Sequence, residues 1–483
     1  MRKLLFLITL LLPLTGSAHV NSPNVYFDGH AGPYHLLVTI KPPAVIPGIA
    51  QIQIRATGND VEQIKILPLR MVGMAAKLAP TADAAQRSAS DPRLFTGQLW
   101  IMARGSWKVQ VEATGKQGAG ELAVPLPAVS SNSARMQATL GTLLAVLGVA
   151  LVLGLAGIIG AAARDADLRP GDQAPAEKKR RGAIRMAITT LLLIVLLVFA
   201  NRWWGAEASA NAKLNYKQPH VQTELTAGNL LRLQLENPNL PEKNRFGIES
   251  PDKLVLNDLV PDHGHLMHLF LVRMPDMQSF WHLHPDQTSE AQFAVNLPAM
   301  PVGRYQICAD IVHRSGFPET QVGEMEVRVP PAGETMRGDD SGVSDLPATE
   351  TVAQLSGGYR MVWLRDQQPL KAGEPVWFRF RIEDKDGKPA HDMENYMGMA
   401  GHAVFLSGDG KIFAHVHPAG SAPMAALEIA GGSTAKDDMA TMEHDGEVSF
   451  PYGFPKTGDY RIFVQVKRNG HVETGVFRAQ VGP

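Results

Sequence analysis

The sequence has a single cysteine, Cys308, among its 483 residues. One thiol excludes an intramolecular disulfide framework, a cysteine-rich zinc site and an iron–sulfur cluster. The formal net charge is only −1, and the lack of a basic excess argues against a nucleic-acid partner. The sequence also lacks a Gly-x-Ser-x-Gly elbow, a Walker A loop and a dinucleotide-binding fingerprint. No sequence motif therefore indicates an enzyme.

Three long apolar segments are present instead. Residues 1–18 combine basic Arg2 and Lys3 with an apolar run and then small residues, which is the pattern of a secretory signal peptide. Residues 136–163 form an uncharged run rich in glycine and leucine, and residues 184–203 form a second run followed by tryptophan. Both runs are long enough to cross a bilayer, so we predict two transmembrane helices.

The segment between the two spans indicates their orientation. Residues 164–183 are rich in arginine and lysine, and the positive-inside rule places such a loop in the cytoplasm. The regions before the first span and after the second then lie on the outer side, which the signal peptide also predicts for the N-terminal region. We expect a protein of a bacterial inner (plasma) membrane, with its N- and C-terminal domains on the periplasmic or extracellular side.

Outside these segments, short runs of alternating apolar and polar residues are separated by Gly, Pro and Asn, as is typical of β-sandwiches. We expect a mainly β protein with three Ig-like β-sandwich modules and two transmembrane α-helices. The modules span residues 19–128, 216–331 and 349–483. Residues 332–348 have almost no large apolar side chain and are predicted to be a linker, and residues 419–446 are predicted to be a mobile insertion.

The second and third modules contain nearly the same phrase. An aromatic residue precedes His-x-His-Pro in both, with His282 and His284 in one copy and His415 and His417 in the other. Because side chains alternate faces along a strand, the two histidines of each pair point to the same side, as a metal ion requires. The phrase also permits a structural interpretation, in which the aromatic residue and the proline form a β-corner.

Further histidines and methionines lie close to these pairs. Alignment of the two copies makes His268 equivalent to His402, each on the strand expected to pair with the His-x-His strand. The remaining candidate ligands in these modules are His263, His265, Met397 and Met399.

Imidazole and thioether ligands without thiolate favour copper as the metal. Methionine sulfur is soft and suits Cu(I), whereas imidazole binds either Cu(I) or Cu(II). Zinc is a less favoured alternative, with Asp262 and Asp286 as nearby carboxylates.

The N-terminal region carries a separate pattern. Cleavage of the signal peptide after residue 18 leaves His19 as the first residue, and its α-amine and imidazole together form a histidine brace for copper. His30 and His35 are candidates to complete that site, with Asp28 as a further oxygen ligand.

Two resemblances bear on these residues. A mature N-terminal histidine on a small β-sandwich ahead of membrane spans resembles the periplasmic copper-resistance (CopC-like) family, although the later Asp-x-His ligand motif of that family is absent here. The phrases FWHLHP and FAHVHP are similar to those of secreted Ig-like (YtkA-like) modules found in heavy-metal contexts. The first resemblance implies copper binding at His19, and the second implies a metal context without an established activity.

The leading hypothesis is a membrane-anchored, non-enzymatic metal-binding protein, for copper, that serves resistance, delivery or sensing. A metal transporter or a cuproenzyme is its candidate partner. An alternative from a different class is an Ig-like interaction or assembly module with no metal site. A second alternative is a copper oxidoreductase that uses the N-terminal brace.

Overall fold

The structure is a computed structural model. It describes residues 24–133, 136–169, 171–226, 229–239, 254–331, 335–365, 368–431 and 446–483. The chain is mainly β, with pairs of antiparallel sheets forming three sandwich modules, and it has two long apolar helices. The predicted fold class is confirmed. The predicted signal peptide and His19 lie outside the described residues.

Module 1 (described residues 24–129) is built from strands in which apolar and polar residues alternate. In β3, for example, Ile52 and Ile54 are buried in the core while Gln51 faces outward. One sheet has the order β1-β2-β3-β7-β6 and the other β5-β4-β8-β9. The strands are β1 (Val25–Ala31), β2 (Tyr34–Lys41), β3 (Gly48–Ala56), β4 (Val61–Arg70), β5 (Asp83–Ala84), β6 (Gln86–Arg87), β7 (Leu94–Ile101), β8 (Gly105–Gly115) and β9 (Gly118–Ala128), with a 3-10 turn at Met74–Lys77.

The two long helices form a compact unit of their own, residues 130–216. Helix α1 spans Ala138–Asp165 and helix α2 spans Ala176–Ala212, and both are long and apolar enough to cross a membrane. They approach each other closely at Gly160 and Gly182, where an added Cβ on Gly182 would lie 2.8 Å from the Gly160 carbonyl oxygen. Helix α2 begins inside the predicted loop and extends beyond residue 203, because good helix formers flank the apolar run on both sides.

Module 2 (described residues 217–331) has one four-stranded and one six-stranded sheet. The four-stranded sheet has the order β10-β11-β16-β15, and the six-stranded sheet has the order β12-β17-β13-β14-β19, with β18 paired to β17. The strands are β10 (Val221–Leu225), β11 (Leu230–Leu235), β12 (Leu259–Val260), β13 (His268–Met274), β14 (Phe280–Leu283), β15 (Asp286–Ser289), β16 (Gln292–Asn296), β17 (Gly303–His313), β18 (Pro318–Val327) and β19 (Ser341–Val343).

Module 3 (described residues of 349–483) repeats this plan. Its four-stranded sheet has the order β20-β21-β23-β27, and its six-stranded sheet has the order β22-β29-β28-β25-β26, with β24 paired to β28. The elements are β20 (Val352–Gln354), β21 (Arg360–Trp363), β22 (Leu370–Lys371), β23 (Val376–Glu383), β24 (Met393–Glu394), β25 (His402–Ser407), β26 (Phe413–Val416), helix α3 (Met424–Ala430), β27 (Glu447–Tyr452), β28 (Gly458–Arg468) and β29 (His471–Gly482), with a 3-10 turn at Ser356–Gly358.

Two segments differ from their predicted character. Strand β19 lies inside the predicted linker and pairs with β14, so this segment is an edge strand of module 2. The first part of the predicted mobile insertion forms helix α3, whose Met424 and Leu427 are buried in the core of module 1. Composition suggests a loop because the insertion contains several glycine and acidic residues, but the stretch PMAALEIA has a strong helix propensity of its own. Residues 432–445 lie outside the described part of the chain.

Modules 2 and 3 pack their six-stranded sheets face to face. Alternate residues of β13 point into the core of module 2, and the others, including Phe270 and Val272, join an apolar cluster shared with module 3. Phe280 and Phe463 stack across this interface with ring centroids 4.4 Å apart. Strand β13 is therefore apolar along most of its length because both of its faces are buried.

Module 1 docks on module 3 just after the second His-x-His motif. The Asp28 N–H donates to the Ala419 carbonyl oxygen at 2.8 Å, and the Tyr26 N–H donates to Ser421 Oγ at 3.0 Å. Between them lies Gly420, which has a φ of +131°. A Cβ at this position would lie 2.0 Å from the Tyr26 carbonyl oxygen, so the contact requires glycine.

Candidate metal centre

The His-x-His motif of module 2 lies at the end of strand β14, beside the start of β13. The register places Leu269 opposite Leu283, which brings His268 next to His284. Nδ1 of His268 lies 3.0 Å from Nε2 of His282. The predicted pairing of the His268 strand with the His-x-His strand is confirmed, and the three imidazoles share one face.

Module 3 has the same arrangement. Ala403 lies opposite Val416 in the register, which brings His402 next to His417. Nδ1 of His402 lies 3.1 Å from Nε2 of His415. The two hairpins are therefore equivalent in register and in ring contacts, as the sequence repeat indicates.

A tight turn before each hairpin orients the first histidine. His268 Nε2–H donates to the Asp262 carbonyl oxygen at 3.1 Å, and His402 Nε2–H donates to the Tyr396 carbonyl oxygen at 3.2 Å. Since a neutral imidazole carries one proton, Nδ1 of each ring is then a lone-pair nitrogen that faces the cluster. A hydrogen bond from the second ring nitrogen to a carbonyl is the usual support of a metal-binding histidine.

Each partner imidazole has a side-chain oxygen near its other ring nitrogen. His282 Nδ1 lies 3.0 Å from Gln465 Oε1, and His415 Nδ1 lies 3.4 Å from Asp310 Oδ2. When each Nδ1–H points to these oxygens, the Nε2 atoms are also lone-pair nitrogens. In that tautomer the facing nitrogens of each hairpin, 3.0 and 3.1 Å apart, both carry lone pairs, and a proton or a cation would bridge them. One ion with bond lengths of about 2.0–2.1 Å could bind two nitrogens at this separation.

Among the described residues, two groups of three histidines have ligand atoms within 4.8 Å of one another. The first group belongs to module 2 and consists of His268, His282 and His284. The second group consists of His263, His402 and His417, so it combines one histidine of module 2 with two of module 3. The ring centroid of His263 lies 5.2 Å from that of His402 and 5.0 Å from that of His417.

Several ring nitrogens at these groups are buried without a hydrogen-bond partner among the residues that the structure describes. They are Nε2 of His263, Nε2 of His284 and both ring nitrogens of His417. His284 Nδ1 contacts Asp340 Oδ1 at 2.9 Å, which leaves its Nε2 as the lone-pair atom. Buried polar atoms normally have a partner, so these nitrogens are available to bind a ligand, and the groups could hold a metal ion.

Burial favours the neutral form of five histidines in these groups. The pKa values of His268, His282, His402 and His417 all lie well below 6.5, because burial disfavours the charged ring and the neighbouring histidines add repulsion. The pKa of His263 is lowered mainly by burial as well, although Asp262 opposes the shift. Neutral imidazole is the form that binds a metal ion.

The stability of the metal-free protein should therefore decrease below pH 6.5. In that range the unfolded chain protonates these histidines and the folded chain does not, so the unfolded state binds more protons. Each such histidine lowers the free energy of unfolding by up to about 1.4 kcal/mol per pH unit. Denaturant unfolding between about pH 7.5 and pH 5.5 measures this slope, and the exposed His391→Ala change should leave it unaltered. An unfolding midpoint that is constant over this range would contradict the prediction.

The other predicted ligands lie around these groups. His265 stacks on His284 with ring centroids 3.9 Å apart. Met397 and Met399 lie in the turn that precedes His402, and both are buried. Met399 packs in the apolar cluster that module 1 forms with helix α3.

The N-terminal candidates lie elsewhere. His30 and His35 face each other across β1 and β2 with ring centroids 4.8 Å apart. His35 Nε2 lies 2.6 Å from Asp28 Oδ1, which raises the pKa of His35. Trp377 Nε1–H donates to the other oxygen of Asp28 at 2.8 Å. His19 lies outside the described residues, so the brace stays a prediction.

Sequence reasoning missed the residues that support the imidazoles. Asp340 belongs to the predicted linker, and Asp310 and Gln465 lie on strands whose apolar pattern suggested only packing. It also missed that His263 joins the module 3 histidines. The segment GDDSG that contains Asp340 has a composition typical of linkers, so it gave no signal of this role.

The proline of the repeated phrase has a structural role as well. Strand β14 belongs to the six-stranded sheet of module 2, and β15, which follows Pro285, belongs to the four-stranded sheet. In module 2 the phrase therefore marks both a corner between the sheets and a histidine group.

Fold and site together define a mainly β protein with two helices that could span a membrane and with histidine groups that could hold a metal ion. A family model described as "Domain of unknown function (DUF8832)" matches residues 353–482, which is module 3. No curated protein matches the chain.

Several solved structures show a distant likeness. Latent PorU from Porphyromonas gingivalis is 9% identical over 90% of this chain and 32% of its own, with a TM-score of 0.14. Alpha-2-macroglobulin from Escherichia coli, activated by porcine elastase, is 10% identical over 91% of this chain and 30% of its own, with a TM-score of 0.17. A Salmonella alpha-2-macroglobulin mutant is 10% identical over 97% of this chain and 24% of its own, with a TM-score of 0.19. This chain thus spans about a third of these proteins or less, and likenesses at these TM-scores carry no functional argument.

Proposed function

We propose that the chain is a membrane-anchored copper-binding protein that acts in copper resistance, delivery or sensing. The observation that carries the proposal is the pair of neighbouring histidine groups of modules 2 and 3, in which ring nitrogens lie 3.0 and 3.1 Å apart in buried surroundings. The arginine- and lysine-rich segment 164–183 supports an orientation with these modules on the outer side of a bacterial inner membrane.

The choice of copper rests on the chemistry of the ligands. Imidazole suits both zinc and copper, whereas the thioether of Met397 in the adjoining turn suits Cu(I). Cys308 is buried in the apolar cluster between the modules, and burial raises the pKa of its thiol well above 9. It therefore offers no thiolate to the metal. The resemblance of module 1 to CopC-like proteins and of the later modules to YtkA-like domains points to the same metal context.

The test is metal retention by the full chain, purified in detergent and stripped of metal. Copper should bind with sub-micromolar affinity and more tightly than zinc, and the His282→Ala plus His415→Ala double variant should lose at least about tenfold in affinity. Mass spectrometry of the bound metal and competition with a copper chelator measure both effects.

The matched control is the double variant His220→Ala plus His391→Ala, which removes two exposed histidines and should bind copper normally. Circular dichroism establishes that each variant is folded. Copper affinity that is weaker than micromolar and equal in all three proteins would refute the proposed function.

A further inference from the structure

The two histidine groups are neighbours, and we propose that they form one dinuclear metal centre with two unlike sites. The site in module 3 has imidazole ligands only and is completed by His263 of module 2. The site in module 2 is completed by the thioether of Met397 from module 3. This inference rests on the proposed metal-binding function, and it adds the number of ions and the identity of the completing ligands.

The two groups share one buried region between the modules. The ring centroid of His268 lies 5.5 Å from that of His415, and the ring centroid of His282 lies 6.1 Å from that of His402. Each hairpin nevertheless has its own pair of facing nitrogens, at 3.0 and 3.1 Å. Each group also has its own buried nitrogen without a partner among the described residues, on His284 in one and on His417 in the other. This doubling indicates two ions.

Each of the two turns that precede the hairpins extends to the other module and contacts it there. The turn of module 2 reaches module 3, where Asp262 Oδ1 accepts a hydrogen bond from the Ala425 N–H at 2.8 Å and His263 joins the module 3 histidines. The turn of module 3 reaches module 2, where the Tyr396 hydroxyl lies 3.4 Å from His282 Nδ1 and donates to the Asp339 carbonyl oxygen at 2.8 Å. Each turn thus lies against the histidine group of the other module.

Met397 occupies the position in its turn that His263 occupies in the other. Both residues have a left-handed backbone, with φ of 51° for Met397 and 52° for His263, and a glycine of positive φ follows each. The bridges that close the turns, Tyr396 with Met399 and Asp262 with His265, are also equivalent. Since His263 contacts the module 3 histidines, the repeat places Met397 toward His268 and its partners. Its side chain is buried, with an exposure of 8%.

A thioether at one site and a fourth imidazole at the other make the two sites chemically different. The module 2 site then favours Cu(I), and the module 3 site accepts either oxidation state of copper.

The experiment loads the full chain, purified in detergent and reduced, with Cu(I) in the presence of a competing chelator. Two copper ions per chain are expected in the wild-type protein, and one in each of the variants His284→Ala and His417→Ala. Met397→Leu should lower the affinity for one of the two copper ions by at least about tenfold. It should also remove the signal of copper-bound sulfur from the X-ray absorption spectrum. Met397→His should retain that ion without sulfur, and the buried core change Met361→Leu should alter neither property.

The outcomes separate this inference from the proposed function. If the wild-type chain bound one copper ion and either His284→Ala or His417→Ala abolished that binding, the dinuclear centre would be overturned. The proposed copper-binding function would still stand. The assignment of the thioether would be overturned if Met397→Leu bound two copper ions with wild-type affinity and the wild-type spectrum showed no copper-bound sulfur. Failure of the wild-type chain to bind any copper would instead remove the proposed function itself.

Discussion

Replacing Phe463 by alanine should lower the free energy of unfolding by about 3–5 kcal/mol and weaken copper binding in the protein that remains folded. Phe463 is fully buried between modules 2 and 3, and its ring stacks on Phe280 at 4.4 Å. The cavity left by the ring loosens the contact between the two six-stranded sheets. Because His263 reaches His402 across that contact, the module 3 group should be affected more than the group formed within module 2.

Denaturant unfolding and chelator competition measure the two effects on the same preparation. The matched control is Phe293→Ala, which removes an equally buried ring from the core of module 2 and leaves the intermodule cluster intact. The control should lose similar stability but keep its copper affinity when folded. Equal copper affinity in Phe463→Ala and Phe293→Ala would show that the intermodule contact does not build the site.

Replacing Gly420 by alanine should detach module 1 from module 3 and destabilise the chain by about 2–5 kcal/mol. The added Cβ would lie 2.0 Å from the Tyr26 carbonyl oxygen, so the strand contact at Asp28 and Ala419 must separate. The segment that follows His417 would then lose its support. Faster proteolysis within this segment would report the detachment. A change in the fluorescence of Trp377, which donates a hydrogen bond to Asp28, would report it independently.

Gly458 supplies the matched control for this change. Its φ of +138° is close to that of Gly420, but an added Cβ meets no atom within 4 Å. Gly458→Ala therefore introduces similar backbone strain without the collision, and the difference between the two variants isolates the docking contact. Equal stability of the two variants would mean that β1 does not depend on Gly420.

Local sequence patterns predicted the strands, the helices and the histidine pairs, because these features depend on residues that are close in sequence. Alternation of apolar and polar side chains marked the sandwich strands, uninterrupted apolar runs marked the two helices, and the His-x-His spacing placed two imidazoles on one face. The repeat then made His268 equivalent to His402, and the structure places each beside its His-x-His pair. Cys308 lies on one of these strands and is buried.

The rest depends on how the modules dock, and no local pattern specifies that contact. His263 and His402 are far apart in sequence, and they meet only because two sheets pack face to face. The strands HLFLVRM and HAVFLS carried a signal for this packing, since an apolar run without alternation is typical of a strand that is buried on both faces. The supporting carboxylate of Asp340 was hidden by a composition typical of linkers.

The exchange of turns has a consequence for any chain that contains only one such module. The region that matches the domain family, residues 353–482, includes His402, His415 and His417 but not His263. A solitary module of this type would acquire the missing ligand only from a second copy of itself, across a twofold axis. Both turns of such a homodimer would be identical in sequence, and so would both sites. Joining two modules in one chain removes that constraint, so the two turns can carry different residues, as they do with histidine at 263 and methionine at 397.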